Sequence, residues 1–231
     1  MKVAFFDIDG TILLAHGAGR RAMERALLAT TGAAGPGGQH YAGKTDPQIV
    51  REAMRHTGFS DSDVDARMPE VLDRYLRELE TELSGARDEQ IATLPGVVEV
   101  LDACEAHAAV LLGLLTGNLM PGAERKLRAV GVSPARFVVG AFGSDHEDRA
   151  ALAALARERA SARLGQDVRG GQCVVIGDTP ADVACARAIG ARTIAVATGS
   201  YSVADLLETG ADVVFEDLSD TAAVMKAILG A

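Results

Sequence analysis

Val3-Ala4-Phe5-Phe6-Asp7-Ile8-Asp9-Gly10-Thr11 is the stretch that decides how the rest of the chain is read. Four apolar residues in a row suit a strand buried on both faces, as in parallel sheets, better than one with a wet side. Two acids follow at once, and carboxylates beside such a strand are costly to desolvate unless something cationic joins them. Alternation along an extended chain puts Asp7 and Asp9 on the same side, where both can face one ligand. Gly10 then lets the backbone turn tightly.

Further along, short apolar runs recur at 110–115, 137–139, 174–176, 193–196 and 213–215, with helical stretches between them. Strands alternating with helices predict an α/β fold, a central parallel sheet flanked by helices on both faces, with ligands bound beyond the carboxyl ends of the strands. Between 15 and 92 no run reads as a strand. Met23, Leu27 and Leu28 suggest one helix there, and Ile49, Val50 and Met54 a second. Val71, Leu72, Tyr75, Leu76, Leu79 and Leu83 give a third at helical spacing, with Pro69 expected to mark its start because proline is tolerated only in the first turn. The expected organisation is a core of residues 1–14 and 93–231, interrupted after its first strand by an all-helical segment, 15–92.

Three more strand ends carry polar residues. Gly177-Asp178-Thr179-Pro180-Ala181-Asp182 places Asp178 as the chain leaves its strand and Asp182 one turn on, as a helix begins. Carboxylates converging from two strand ends repel one another at low effective dielectric, and a hard divalent cation is the simplest remedy. Thr116-Gly117-Asn118 offers a hydroxyl and unhindered amides for an oxyanion, although the same tripeptide also makes a good turn. Arg149 opens a helix after Gly143-Ser144-Asp145-His146-Glu147-Asp148. A cation is unfavourable at a helix N-terminus, so its partner is expected outside that helix.

The order DxDGT at Asp7, Thr116, a basic residue at Arg149 and GDxxxD at Asp178 resembles the haloacid dehalogenase superfamily, especially its phosphoglycolate phosphatase-like branch. The resemblance implies a Rossmann-like core with a helical cap inserted after the first strand. It implies that Asp7 attacks phosphorus to form an aspartyl-phosphate and that Asp9 serves as general acid and then base. It further implies magnesium held by Asp7, the backbone carbonyl of Asp9 and Asp178, with Asp182 nearby through water. Thr116, Gly117, Asn118 and Arg149 would hold the transferring phosphate. Relatives commonly have lysine where Arg149 stands; arginine keeps the charge and grips phosphate bidentately but is not equivalent. Arg157 and Arg159 are the alternatives, deeper in the helix.

A second phosphate motif competes. Gly38-Gln39-His40-Tyr41-Ala42-Gly43-Lys44-Thr45 satisfies GxxxxGK[ST], but that loop must follow a buried strand, and a glycine-rich stretch precedes it here. The preferred reading is a cap loop, Gly43-Lys44-Thr45-Asp46, facing the catalytic carboxylates, with Lys44 selecting an anionic substrate. The five histidines share no ligand spacing and read as structural or surface residues.

Composition narrows the partners. A net charge of −9 argues against nucleic acid or another polyanion as a general partner, though not against one phosphate in a local cationic pocket. No apolar run reaches the roughly 20 residues of a membrane helix, and no signal-peptide pattern opens the chain. Cys104, Cys173 and Cys185 have no CxxC spacing and read as buried, reduced thiols. A cytoplasmic enzyme acting on a small phosphorylated metabolite is expected. A sugar phosphomutase is the alternative, since the same carboxylates serve both; oligomeric state is not legible.

Overall fold

The computed structural model describes residues 1–85 and 91–230. Its centre is a parallel sheet of six strands: β1 (Lys2–Phe6), β4 (Val110–Thr116), β5 (Val139–Phe142), β6 (Cys173–Gly177), β7 (Arg192–Val196) and β8 (Val213–Phe215). They lie in the order β5-β4-β1-β6-β7-β8. β1 is paired with β4 on one side, Phe6 opposite Leu114, and with β6 on the other, Phe6 opposite Ile176. The chain therefore winds outward in both directions from β1, and the crevice at that switch point is where such sheets bind ligands.

The two phenylalanines of β1 show why the apolar run does not alternate. Val3 and Phe5 point into a core with Leu152 and Ala156 of α6 (Arg149–Leu164) and Cys185 of α7 (Pro180–Ala188). Ala4 and Phe6 point the other way, onto Leu101 of α4 (Val97–Ala106), Leu127 of α5 (Met120–Ala129) and Ile228 of α9 (Thr221–Leu229). Both rings are fully buried, each contributing roughly 2–3 kcal/mol of apolar transfer free energy. One strand thus clamps two helical layers.

The segment after β1 is helical: α1 (Ala18–Thr31), α2 (Asp46–His56) and α3 (Asp61–Gly85). Met23, Leu27, Ile49, Met54, Val71 and Tyr75 form their common core, joined by Leu119 from the loop after β4. Short strands at the two crossings, β2 (Leu13–Leu14) and β3 (Ala92–Thr93), pair antiparallel and bring entry and exit together. β3 is a departure from a strand-free 15–92, although only its first residue falls inside that range.

Two expectations are corrected. α3 begins at Asp61, not Pro69, which lies within it. Ser60 and Asp63 cap the earlier start reciprocally: the Asp63 carboxylate accepts from the Ser60 amide at 3.2 Å, and the Ser60 hydroxyl from the Asp63 amide at 3.2 Å. Pro69 and Asp65 are both exposed, so water can satisfy the carbonyl that proline leaves without a donor. The strand expected at 137–139 starts at Val139, because a 3-10 turn at Pro134–Arg136 delays the entry. All three cysteines are free and buried, and among the described residues no helix is long and apolar enough to cross a membrane.

Candidate active site

Asp7 follows β1 directly and is buried. Its amide donates to the Ile176 carbonyl of β6 at 2.9 Å, which locks the loop to the neighbouring strand end. Across that pairing stands Asp178, also buried, its Oδ1 accepting from the Thr11 hydroxyl at 3.2 Å. Asp182, at the third position of α7, accepts at Oδ2 from the Thr179 amide (3.0 Å) and hydroxyl (2.7 Å). One carboxylate oxygen from each of Asp7, Asp178 and Asp182 lies within 4.8 Å of the others. Three of the four acids that the two motifs supply therefore meet.

Arg149 is the cation among them. From the first position of α6 its Nη2 sits 3.0 Å from Asp7 Oδ2 and bonds Asp182 Oδ1 as well. Its partners are on other elements, as its place at a helix N-terminus required. The guanidinium is buried, yet its two carboxylates hold its pKa well above the ordinary value. Arg159 is turned away: it grips Asp145 at 2.7–2.8 Å and the Gly140 carbonyl at 2.8 Å.

Burial, with a net push from Asp182 and Asp9, raises Asp7 to about 6 although Arg149 opposes it. Asp178 is raised to about 8, again chiefly by burial and then by Asp182 and Asp7. Acids pushed up in this way are short of positive charge. Asp7 Oδ1 is moreover a buried oxygen with no hydrogen-bond partner, and so is fit to take a cation. Asp182 has donors on both oxygens, so it suits a place outside the direct ligand sphere.

Asp9 stands apart from this cluster. Its carboxylate opens onto the cavity, 45% exposed, and is gripped by the buried Lys126 ammonium at 2.7 and 2.8 Å. Burial tends to raise it, but Lys126 and the Asn118 amide outweigh that and hold Asp9 below its ordinary value. Its side chain does not join the cluster of Asp7, Asp178 and Asp182.

The expected oxyanion loop is arranged differently from its simplest reading. The Asn118 side chain donates to Asp9 Oδ2 and to Thr116 Oγ1, both at 2.8 Å, and accepts from Lys126 at 2.7 Å. It is engaged with the acid, while Thr116 and Gly117 line the cavity. A β-carbon on Gly117 would stand 2.1 Å from the Lys44 carbonyl oxygen, so only glycine lets the helical segment dock there.

That docking is extensive. The Asp46 amide donates to the Gly117 carbonyl at 2.8 Å, and Asp46 Oδ2 accepts from the Leu119 amide at 2.8 Å. The Thr45 hydroxyl, which also caps α2, donates to the Glu147 carbonyl at 2.8 Å. Arg51 holds the Glu147 carboxylate with 2.8 Å contacts to both oxygens. Gly43 lies against Thr179 and Ala181. Lys44 lines the cavity, but its ammonium is paired with Glu52 of α2. The element leading into the GxxxxGKT stretch is α1 and not a strand, so the stretch lacks the setting of a nucleotide-binding loop.

Between the strand ends and the helices lies a cavity of about 400 Å³, with Asp7, Asp9, Arg149 and Asp178 on its floor and Arg20, Tyr41 and Lys44 on the opposite wall. Arg20 stacks over the Tyr41 ring at 4.1 Å. His16 lines this cavity too and holds a left-handed backbone, φ 40°, with its carbonyl accepting from Arg21 at 2.8 Å. Asp46 and Tyr75 complete the wall from the helical side.

Lys126 and Tyr75 were not expected here. Lys126 carried a usable signal: it sits on the same face of α5 as Ala123 and Leu127, and a lysine on an apolar helix face is seldom buried without an acid to meet it. Asp46 was expected on the loop facing the carboxylates, but not as the acceptor of the Leu119 amide.

A model of the family described as haloacid dehalogenase-like hydrolase matches residues 4–187. No curated protein matches the chain. Among solved structures, a hydrolase from Pseudomonas syringae superposes with a TM-score of 0.72 at 21% identity, covering 98% of each chain. A protein described as a predicted phosphoglycolate phosphatase, from Haemophilus somnus, superposes with a TM-score of 0.72 at 17% identity, covering 97% of this chain and 98% of that one. A CbbY variant from Rhodobacter sphaeroides, solved with xylulose-(1,5)-bisphosphate, gives 0.72 at 18% identity over 95% and 96%. These likenesses establish the fold, and the family match spans the first acid motif through the second. The chain belongs to the haloacid dehalogenase-like hydrolases.

Proposed function

We propose that the protein is a magnesium-dependent phosphatase that hydrolyses a small phosphorylated metabolite through an aspartyl-phosphate on Asp7. The observation that carries this reading is the buried, unpartnered Oδ1 of Asp7, a residue clustered with Asp178 and Asp182, with Arg149 on its other oxygen. A carboxylate so placed is oriented by its neighbours and free at one atom. Asp7, the Asp9 carbonyl and Asp178 would hold magnesium, with Asp182 outside them. When bound, the ion supplies positive charge that offsets the carboxylates and the transferring phosphoryl oxygens.

Asp7 attacks phosphorus, the phosphorus–oxygen bond to the leaving group breaks, and Asp9, which takes up a proton from solvent beforehand against the pull of Lys126, delivers it to the departing alkoxide. Asp9 then takes a proton from water as it attacks the aspartyl-phosphate, releasing phosphate and restoring Asp7. Thr116, Gly117 and Arg149 steady the transferring oxygens; Asn118 contributes by orienting Asp9. Residues 15–92 act as the cap, covering the site and excluding bulk water during transfer. Lys44 would leave Glu52 to meet an anionic group on the substrate. The loop near 15–19 is one hinge. The other expected hinge, 85–93, includes residues 86–90, which lie outside the described residues.

The test is release of phosphate from p-nitrophenyl phosphate, then from a set of phosphorylated metabolites with a parallel search for isomerised product. Magnesium-dependent release, abolished by a chelator and by Asp7→Asn, is expected. Activity that survives either treatment refutes the reading, and isomerised sugar phosphate without phosphate release makes the protein a mutase.

A further inference from the structure

Lys126 is the one buried lysine among the described residues, and nothing in the reaction just outlined uses it. It projects from the second turn of α5 and not from either acid motif. Its Nζ reaches Asp9 Oδ1 at 2.8 Å, Asp9 Oδ2 at 2.7 Å and Asn118 Oδ1 at 2.7 Å. Asn118 Nδ2 turns back to Asp9 Oδ2 at 2.8 Å while also donating to Thr116 Oγ1. The three side chains close a ring in which each touches the other two. Two donors hold Asp9 Oδ2 and one holds Oδ1.

The exposures show what the ring does. The Lys126 side chain is 5% exposed and that of Asp9 45%. An aspartate this open to a cavity would ordinarily rotate about its side-chain bonds. Here the carboxylate is held by a lysine from a helix and by an asparagine from the loop after β4, and Asp9 lines the same cavity as Asp7. The packing around Lys126 keeps its ammonium in place. A β-carbon on Gly19 of α1 would stand 3.4 Å from Nζ and 3.8 Å from the Tyr75 hydroxyl, so the helical segment closes over the ammonium with no side chain intervening.

We infer that Lys126 is a positioning residue for Asp9: with Asn118 it aims the carboxylate at the leaving-group oxygen, so that proton delivery depends on a residue remote from both acid motifs. The inference rests on the assignment of Asp9 as acid and base. A misaimed acid matters little when the leaving group departs without a proton and much when it needs one.

That difference is the readout. Single-turnover phosphorylation of the intact enzyme would be followed by rapid quench with p-nitrophenyl phosphate and with p-methoxyphenyl phosphate, substrates of similar shape whose leaving groups differ in basicity. Lys126→Met is expected to slow the p-methoxyphenyl substrate by about 30- to 100-fold and the p-nitrophenyl substrate by less than about fivefold, within the range acid–base catalysis supplies. Lys126→Gln, which keeps an N–H donor, should recover part of the loss and covers the case in which the methionine variant does not fold. Equal slowing of both substrates in a folded variant would overturn the inference and leave Lys126 a structural pair for Asp9. Asp9→Asn separates the two levels. If it leaves the leaving-group dependence as in wild type, the acid–base assignment fails; if it steepens that dependence and the Lys126 variants do not, only the positioning role falls.

Discussion

A β-carbon added to Gly10 would stand 2.3 Å from Asp178 Oδ2, so the turn after the first acid motif is also the seat of the second. Gly10 has φ 81° and its neighbour across the sheet is a buried carboxylate. Either feature alone would disfavour a side chain; together they make the two motifs a single packed unit.

Gly10→Ala is therefore expected to displace Asp178 and to strain the turn, at a cost of about 1–3 kcal/mol. Magnesium titration of phosphatase activity would show a weaker apparent affinity, by at least about tenfold, together with a lower melting temperature. A variant that melts lower but titrates as wild type would mean that Asp178 is not a ligand.

Arg149 carries the charge balance of the floor. Arg149→Met leaves Asp7 and Asp182 buried without their cation, and breaking a buried pair from one side costs roughly 3–5 kcal/mol. Denaturant unfolding should register that loss at neutral pH. Arg149→Lys retains one charge but cannot reproduce the planar fork, so an intermediate loss is expected. Wild-type stability in Arg149→Lys would show that charge alone is what matters, and a loss as large as that of Arg149→Met would show that the retained charge contributes nothing.

Asp46 gives the protein a pH dependence away from the metal site. Burial, opposed in part by Lys126 and the Leu119 amide, raises its pKa to about 6, against an ordinary value of 3.8. The folded state therefore binds its proton more tightly than the unfolded chain. The stability this adds is fully present below 3.8 and is lost as pH rises through about 6. At about 1.4 kcal/mol per unit, the difference is on the order of 2–3 kcal/mol. Asp46→Asn cannot titrate, so its stability relative to wild type should rise between pH 4 and pH 7. Parallel stability curves for the two proteins would contradict this.

Arg51 and Glu147 tie α2 to the loop before α6. Both side chains are partly exposed, 20% and 32%, so Arg51→Ala should cost only about 0.2–1 kcal/mol in global stability. Its larger expected effect is local: faster amide hydrogen exchange at Lys44 to Ile49 and a higher KM, because the helical segment loses one of its fastenings. Unchanged exchange there would mean that the Asp46 and Thr45 contacts hold the segment by themselves.

The two acid motifs, the parallel order of the strands and the interruption after β1 were legible because each depends on local patterns. Apolar runs such as Val3 to Phe6 can be satisfied only by burial on both sides, and the acids ending them stand where the strands stop. Helix starts were less legible. Pro69 carries a strong local rule against helix interiors, yet the cap at Ser60 and an exposed position overrode it.

The chain by itself thus determined which residues lie at the strand ends, because strand period and burial act between neighbours in sequence. Tertiary structure alone decided what those residues touch. Asn118 turns to Asp9, Lys44 pairs with Glu52, and Lys126 and Asp46 arrive from separate helices. Such partnerships are set by distances between segments far apart along the chain, where a single hydrogen bond's reach of about 3 Å settles the outcome.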